Sequence, residues 1–188
     1  MSILTTKIPG GNELMDAKKV LEKIGVKEGD RVCDLGCGSK GYFSLQAAKL
    51  VGNKGMVYAV DILKSVLKNV EKEAKHEGLF NLKTVWSDLE IAAATKIEPL
   101  DLDFCLLINL LFQTKKHFEV MKEASRLLKK DNGKLAIIDW KKINSPFGPP
   151  VGIRISPEEI ENFAQQLGLK KDFAFEAGNF HFGIVFKK

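Results

Sequence analysis

The sequence predicts an α/β protein: a doubly wound, Rossmann-like sheet of seven strands, mostly parallel, with helices on both faces and a C-terminal antiparallel hairpin. Three observations predict it. Short apolar strands alternate with amphipathic helices over most of the chain, the pattern of successive βαβ units. A glycine-rich turn, Gly36-Cys37-Gly38-Ser39-Lys40-Gly41, joins the first strand to the helix after it. Two strand-like runs then close the chain around Ala177-Gly178-Asn179, which is a hairpin signal and not another crossover.

Residues 1–12 read as irregular, ending in Pro9-Gly10-Gly11-Asn12, either an entry loop or a cover for a cleft. Leu14, Ala17, Leu21 and Ile24 recur at helical spacing, predicting a helix over 13–24 with Asn12 as its N-cap and Gly25 as its stop. The first strand starts at Arg31, and the helix after the glycine turn opens at about Gly41 and runs to Leu50. Gly52-Asn53-Lys54-Gly55 turns the chain into a second strand, Met56 to Val60, that ends at Asp61. A helix over 63–77 shows Leu67, Val70 and Ala74 on one face, and Gly78 ends it.

The third strand is 82–86, followed by Ser87-Asp88 and a short alanine-rich helix near 91–95 for which Asp88 could be the N-cap. The fourth, 102–108, is nearly all apolar, as a central parallel strand buried on both faces should be. A helix over 115–129 turns Phe118, Met121, Ser125 and Leu128 inward. The fifth strand, 134–140, ends in Asp139-Trp140. Residues 141–155, rich in proline and glycine, make a long connection of the kind that encloses substrates. Ser156-Pro157-Glu158-Glu159 is a helix start with a capping Ser, a Pro at the first position and a Glu at the third. Ile160, Phe163, Ala164 and Leu167 are its buried stripe, and Gly168 its stop. The closing strands are 171–176 and 180–187. His181 alternates away from Phe180, Phe182, Ile184 and Phe186, on a side that could lie near the cleft, and is expected rather to be a structural hydrogen-bonder, while His76 and His117 fall on exposed helix faces.

The length of 188 residues suits a single domain, 1–188, with an apolar content of 45% that is enough for a sizeable core. No apolar run reaches the roughly 18–20 residues that span a bilayer, and the first residues carry no signal-peptide pattern. A cytoplasmic protein is expected. Cys33, Cys37 and Cys105 make neither a disulfide framework nor a metal cluster, so no metal is expected. The net charge of +5 is spread over scattered lysine doublets, without a basic stripe or interleaved aromatics. A nucleic-acid partner is therefore possible but less favoured than a small molecule.

The chemistry concentrates at the strand tips. Gly36, Gly38 and Gly41 fall at G-x-G-x-x-G spacing, which lets a ligand approach the backbone next to the unpaired N–H groups of a helix start. That spacing alone also fits a nicotinamide-binding fold. Asp34, two residues before Gly36, narrows the choice. A carboxylate there repels a pyrophosphate but attracts an ammonium or sulfonium group. Asp61, ending the second strand, is placed to accept hydrogen bonds from both hydroxyls of a ribose. The ligand expected is a ribonucleoside that carries a cation.

Asp34-Leu35-Gly36-Cys37-Gly38 followed by Asp61 resembles the first two motifs of class I S-adenosylmethionine-dependent methyltransferases. The likeness runs over nearly the whole chain and is strongest to the branch that holds the ubiquinone and menaquinone C-methyltransferases and related small-molecule enzymes. It implies S-adenosyl-L-methionine as cofactor and methyl transfer as the activity. It also implies contact between Asp88 and the exocyclic amine of adenine. Cys37, Ile62, Ser87 and Asn109 complete the candidate cofactor set. Gln113 is a weaker candidate for cofactor or substrate contact. Lys40 departs from the family pattern, which often has glycine there, and implies a locally different loop path. No general base stands out, and the acceptor is expected to be a small molecule. An RNA acceptor, or a cofactor-binding protein without catalysis, are the alternatives.

Overall fold

The computed structural model describes residues 11–99 and 101–188. The reading of residues 1–10 as an entry loop or cover falls outside them. The elements are α1 (Ala17–Ile24), β1 (Arg31–Leu35), α2 (Tyr42–Val51), β2 (Met56–Asp61), α3 (Lys64–His76), β3 (Leu82–Trp86), β4 (Phe104–Ile108), α4 (His117–Leu127), β5 (Lys134–Trp140), α5 (Pro157–Gln166), β6 (Lys170–Glu176) and β7 (His181–Lys187). They build one seven-stranded sheet of order β3-β2-β1-β4-β5-β7-β6. The first five strands are mutually parallel, and β7 runs antiparallel between β5 and β6. The chain order reverses between β1 and β4, so the crevice at their carboxyl ends is where a doubly wound sheet binds ligands.

The alternation of side chains along β4 explains the two-sided core. Phe104, Leu106 and Ile108 pack with α1 and α2 residues such as Leu21, Phe43 and Ala47. Cys105 and Leu107 pack on the other face with Met121, Ala124 and Leu127 of α4 and Ile160 of α5. Strands buried on both faces need apolar residues at every position, which is what the sequence of β4 supplies. Cys33 and Cys105 sit opposite each other in the β1–β4 register as small buried groups, and burial pushes both thiols far up.

Several local expectations are corrected. Asn12 does not cap α1. Residues Gly11–Leu14 form a separate 3-10 turn, and Asp16 caps α1 by accepting from the Lys19 N–H at 3.1 Å. The alanine-rich stretch near 91–95 is a set of turns, because the N–H groups of Ala93 and Thr95 bond to the Glu123 carboxylate instead of to helical carbonyls. The strand β4 starts at Phe104, and Leu102 makes a single bridge to Leu128. Of the residues expected inside α4, Met121, Ser125 and Leu128 are buried, whereas Phe118 is half-buried against Phe163. His117 is half-buried beside the same ring, while His76 is exposed.

Candidate functional site

The glycine turn leaves β1 and doubles back over the end of β2. Gly36 and Cys37 donate their N–H groups to the Val60 carbonyl at 2.8 and 3.0 Å. Gly38 donates to Asp61 Oδ2 at 3.2 Å, and Leu63 donates to Asp61 Oδ1 at 2.9 Å. The turn needs glycine at two points. Gly36 has φ 79°, and a Cβ on it would come within 2.8 Å of Leu110. Gly38 has φ 69° and faces open space. Gly41, also at positive φ, caps α2, and Lys40 leaves the loop to pair with Glu13.

Asp34 lies beneath the turn. It is 2% exposed and accepts from the Ser44 hydroxyl at 2.6 Å. Burial raises its pKa to about 6, aided by the nearby Asp61 charge and opposed by the Ser44 hydrogen bond. The Cys37 side chain packs into an apolar pocket with Ala59, Val66 and Val70, where burial pushes the thiol well up.

A cleft with two lobes opens over the strand tips. The first lobe, about 540 Å³, is lined by Asp61, Ile62, Ser87, Asp88 and Leu110. The second, about 490 Å³, lies between the glycine turn and Asn12, Asn109, Phe112, Trp140 and Pro149. The lobes share Gly36, Gly38, Ser39 and Gln113. Of the nine sequence-predicted cofactor residues, Asp61, Ile62, Ser87 and Asp88 line the first lobe, Cys37 and Asn109 the second, and Gly36 and Gly38 both. Asp34 lines neither and sits one layer below.

The first lobe keeps its shape through partners that sequence reading missed. Glu123 of α4 is 2% exposed. It accepts from Ala93 and Thr95 N–H, each at 3.0 Å, and forms a fork with Arg126 at 2.8 Å. Burial works to raise its pKa, but the bonds from Arg126, Thr95 and Ala93 outweigh it and hold the carboxyl at about 2. Thr95 in turn shares a hydrogen bond with Ser87 at 3.0 Å. Asp88 Oδ1 accepts from the Glu90 N–H at 3.0 Å, forming a turn and not a helix cap.

The second lobe has its own fastener. Segment 141–155 wraps Arg154, which is 3% exposed and donates to the carbonyls of Lys141, Ile143, Phe147 and Pro149 at 2.6–3.2 Å. Its guanidinium lies 5.4 Å from the Trp140 ring centre. Gly148 rests on the Trp140 ring so closely that a Cβ would come within 2.6 Å. The segment is thus a pinned wall of the lobe, to which it contributes Gly148 and Pro149. His181 is fully buried against Trp140, ring centres 4.1 Å apart and planes tilted by 44°, and neither ring nitrogen has a hydrogen-bond partner among the described residues. This replaces the expected hydrogen-bonding role. Burial, with Lys141 and Arg154 nearby, lowers its pKa to about 4, so the ring is neutral. Asp139 accepts from the Leu111 and Trp140 N–H groups, and its burial raises its pKa to about 6. Among the described residues, no cluster of three or more His, Cys, Asp or Glu could hold a metal ion. No helix among them is long and apolar enough to cross a membrane.

Sheet order, glycine turn and an acid at the tip of β2 define a nucleoside-cofactor domain of the methyltransferase type. The chain belongs to the class I S-adenosylmethionine-dependent methyltransferases, and residues 26–147, well over half of it, match the family of methyltransferase domains. A SAM-dependent methyltransferase from Aquifex aeolicus is 29% identical and superposes with a TM-score of 0.84, covering 93% of this chain and 90% of that one. A probable cobalt-precorrin-6B C(15)-methyltransferase of Saccharolobus solfataricus is 38% identical over 61 residues, 32% of this chain and 30% of the relative. The demethylmenaquinone methyltransferase of Geobacillus stearothermophilus is 32% identical over 68 residues, 36% of this chain and 29% of the relative. The matched stretch thus spans about a third of the length of these curated relatives.

Proposed function

We propose that this protein, as a single cytoplasmic domain, transfers a methyl group from S-adenosylmethionine to a small organic acceptor. The observation that carries the reading is the two-lobed cleft, whose lobes meet at Gly36, Gly38, Ser39 and Gln113. The residues fit the cofactor. Each Asp61 oxygen accepts one backbone N–H and keeps a second acceptor site for a ribose hydroxyl. Ile62 and Leu110 give apolar surface for a purine, and Ser87 and Asp88 give polar groups at its edge. Gly38 leaves the backbone open to close approach. Asp34, one layer down, supplies negative charge beneath the turn for the cationic end. When bound, the cofactor supplies an activated methyl group on a sulfonium.

The protein then has to hold, align and exclude water, and alignment alone is worth on the order of 7–11 kcal/mol. The ionisable side chains on the second lobe are already engaged: Glu13 pairs with Lys40, the Tyr42 hydroxyl donates to the Met15 carbonyl, and Cys37 is packed away. No base is assigned, and positioning carries the rate. The names of the two curated relatives, a probable cobalt-precorrin-6B C(15)-methyltransferase and a demethylmenaquinone methyltransferase, support a small-molecule acceptor. Three free, buried cysteines suit a reducing compartment.

Titration calorimetry with S-adenosylmethionine and S-adenosylhomocysteine tests the cofactor assignment. Wild type should bind both, and Asp61→Ala should bind far more weakly. No heat from wild type defeats the reading. Radiolabelled cofactor with fractionated extract should then place label in small molecules, whereas label in RNA would move the assignment to a nucleic-acid acceptor.

A further inference from the structure

We infer that Glu13 and Lys40 together read the charged amino-acid end of the cofactor, Lys40 taking its carboxylate and Glu13 its ammonium. The inference rests on the cofactor reading above, with adenosine in the first lobe. Beyond the sulfonium, S-adenosylmethionine continues as a short chain that ends in a carbon bearing both charges. The first lobe is lined by three acids, Asp61, Asp88 and Glu90, and by no lysine or arginine among the described residues, so it repels a carboxylate. The second lobe is lined, among the described residues, by one cation and one anion, Lys40 and Glu13. The glycine turn leads from one lobe to the other. Gly36, Gly38 and Ser39 line both, and Lys40, next in the chain, lines the second but not the first.

Both side chains are open to a ligand: Lys40 is 58% exposed and Glu13 31%. They pair with each other between the glycine turn and the 3-10 turn Gly11–Leu14. An ammonium has three donors and a carboxylate about four acceptor sites, so one contact between them exhausts neither. Opposite charges side by side match an α-amino-acid head, because each charge of the ligand meets its opposite and none is left over. A charge taken from water without such a partner is disfavoured. Flanking contacts hold the pair in place. Asn12 accepts from Asn109 Nδ2 at 2.8 Å, and the Met15 carbonyl accepts from the Tyr42 hydroxyl at 3.2 Å, one on each side of Glu13. Lys40, which departs from the glycine often found at that point of the family pattern, thereby gains a role. The remaining wall, Ile108, Phe112, Trp140 and Pro149, is apolar and is left to the acceptor.

Calorimetry on the full chain with four probes tests this. S-Adenosylhomocysteine carries both charges, its deaminated analogue the carboxylate alone, its decarboxylated analogue the ammonium alone, and methylthioadenosine neither. Wild type should bind S-adenosylhomocysteine ~10-fold tighter than either single-charge analogue, about what one charge-assisted hydrogen bond in partial contact with water contributes. Lys40→Met should weaken S-adenosylhomocysteine and the carboxylate probe ~10-fold and leave the other two no weaker. Glu13→Gln should weaken S-adenosylhomocysteine and the ammonium probe by a similar factor and leave the other two no weaker. Methylthioadenosine binding also reports that each variant is folded. A loss common to all four probes overturns the inference, since the pair would then only shape the cleft. So does a Glu13→Gln protein that binds S-adenosylhomocysteine more tightly, because Glu13 would then be a rival of the carboxylate. Wild type that binds methylthioadenosine as tightly as S-adenosylhomocysteine defeats the role of the pair and keeps the adenosine site. Wild type that binds none of the four defeats the cofactor reading, and the inference with it.

Discussion

The lobe under Asp61 and Asp88 takes most of its wall from the tips of three adjacent strands, whereas the lobe beside Asn109 collects stretches as far apart as Gly11 and Pro149. The first is held by two carboxylates: Asp61 takes the N–H groups of Gly38 and Leu63, and Glu123 takes those of Ala93 and Thr95. The second is held by Asn109 Nδ2 on Asn12, 97 residues away, and by Arg154 on four carbonyls of its own segment. The two lobes therefore rest on different side chains. It also follows that the two lobes can be damaged separately.

The largest effect is expected at Arg154. Its replacement by Leu leaves four carbonyls short of a donor, at about 1–3 kcal/mol for each one that water cannot reach. Urea denaturation should show a loss of roughly 4 kcal/mol, near the range for breaking a buried charged network. Affinity for S-adenosylhomocysteine should stay within about twofold wherever the variant is folded. A matching loss of cofactor affinity would mean that the lobes are not separable. On the other side, Asp61→Ala removes a charged acceptor for two hydroxyls, worth about 1.5–3 kcal/mol per bond. Calorimetry should record a drop on the order of 100-fold, with little change in the urea midpoint. A smaller step sharpens the contrast inside the first lobe. Glu123→Gln keeps the size of the side chain but weakens its hold on Ala93, Thr95 and Arg126. Cofactor affinity should fall roughly tenfold through the displaced Ser87–Asp88 wall, about what a charged hydrogen bond contributes. Tight binding with unchanged kinetics would remove Glu123 from any positioning role.

The same contrast explains what the sequence disclosed. The seven strands, the helices between them and the hairpin followed from apolar strands, helical periodicity and turn residues, all local signals. The glycine turn and Asp61 were legible because their function needs particular residues at fixed spacing. Asn12 was misread as a helix cap because its partner, Asn109, lies 97 residues away. The stretch near 91–95 has helical composition, but a carboxylate on α4 takes its N–H groups and bends it into turns. Segment 141–155 had the length and composition of a lid, and nothing local signalled that Arg154 would pin it. His181 followed the alternation of its strand, yet its neutral packing against Trp140 depends on β5 and on Arg154.

The smallest effect separates two acids that look alike. Asp34, under the glycine turn, and Asp139, behind the second lobe, are both buried, and burial raises both to about 6 from an ordinary 3.8. The unfolded chain releases these protons first, so between about pH 4 and 6 the folded protein holds more of them. The contribution of each acid to stability is therefore greatest at low pH and falls as pH rises through that window. Asp34→Asn and Asp139→Asn should each flatten part of this slope in urea denaturation of the cofactor-free protein. Binding has the opposite sign at one of the two. A cationic cofactor above Asp34 favours its carboxylate, so affinity for S-adenosylmethionine should rise, by up to ~10-fold, from pH 5 to pH 7, with a proton released on binding. Asp34→Asn should abolish that rise, and Asp139→Asn should leave it intact. Calorimetry in two buffers of different ionisation enthalpy reads the released proton directly. If the wild-type rise persists in Asp34→Asn, the negative charge that meets the cation lies elsewhere, and Asp34 serves only to hold Ser44 and the turn above it.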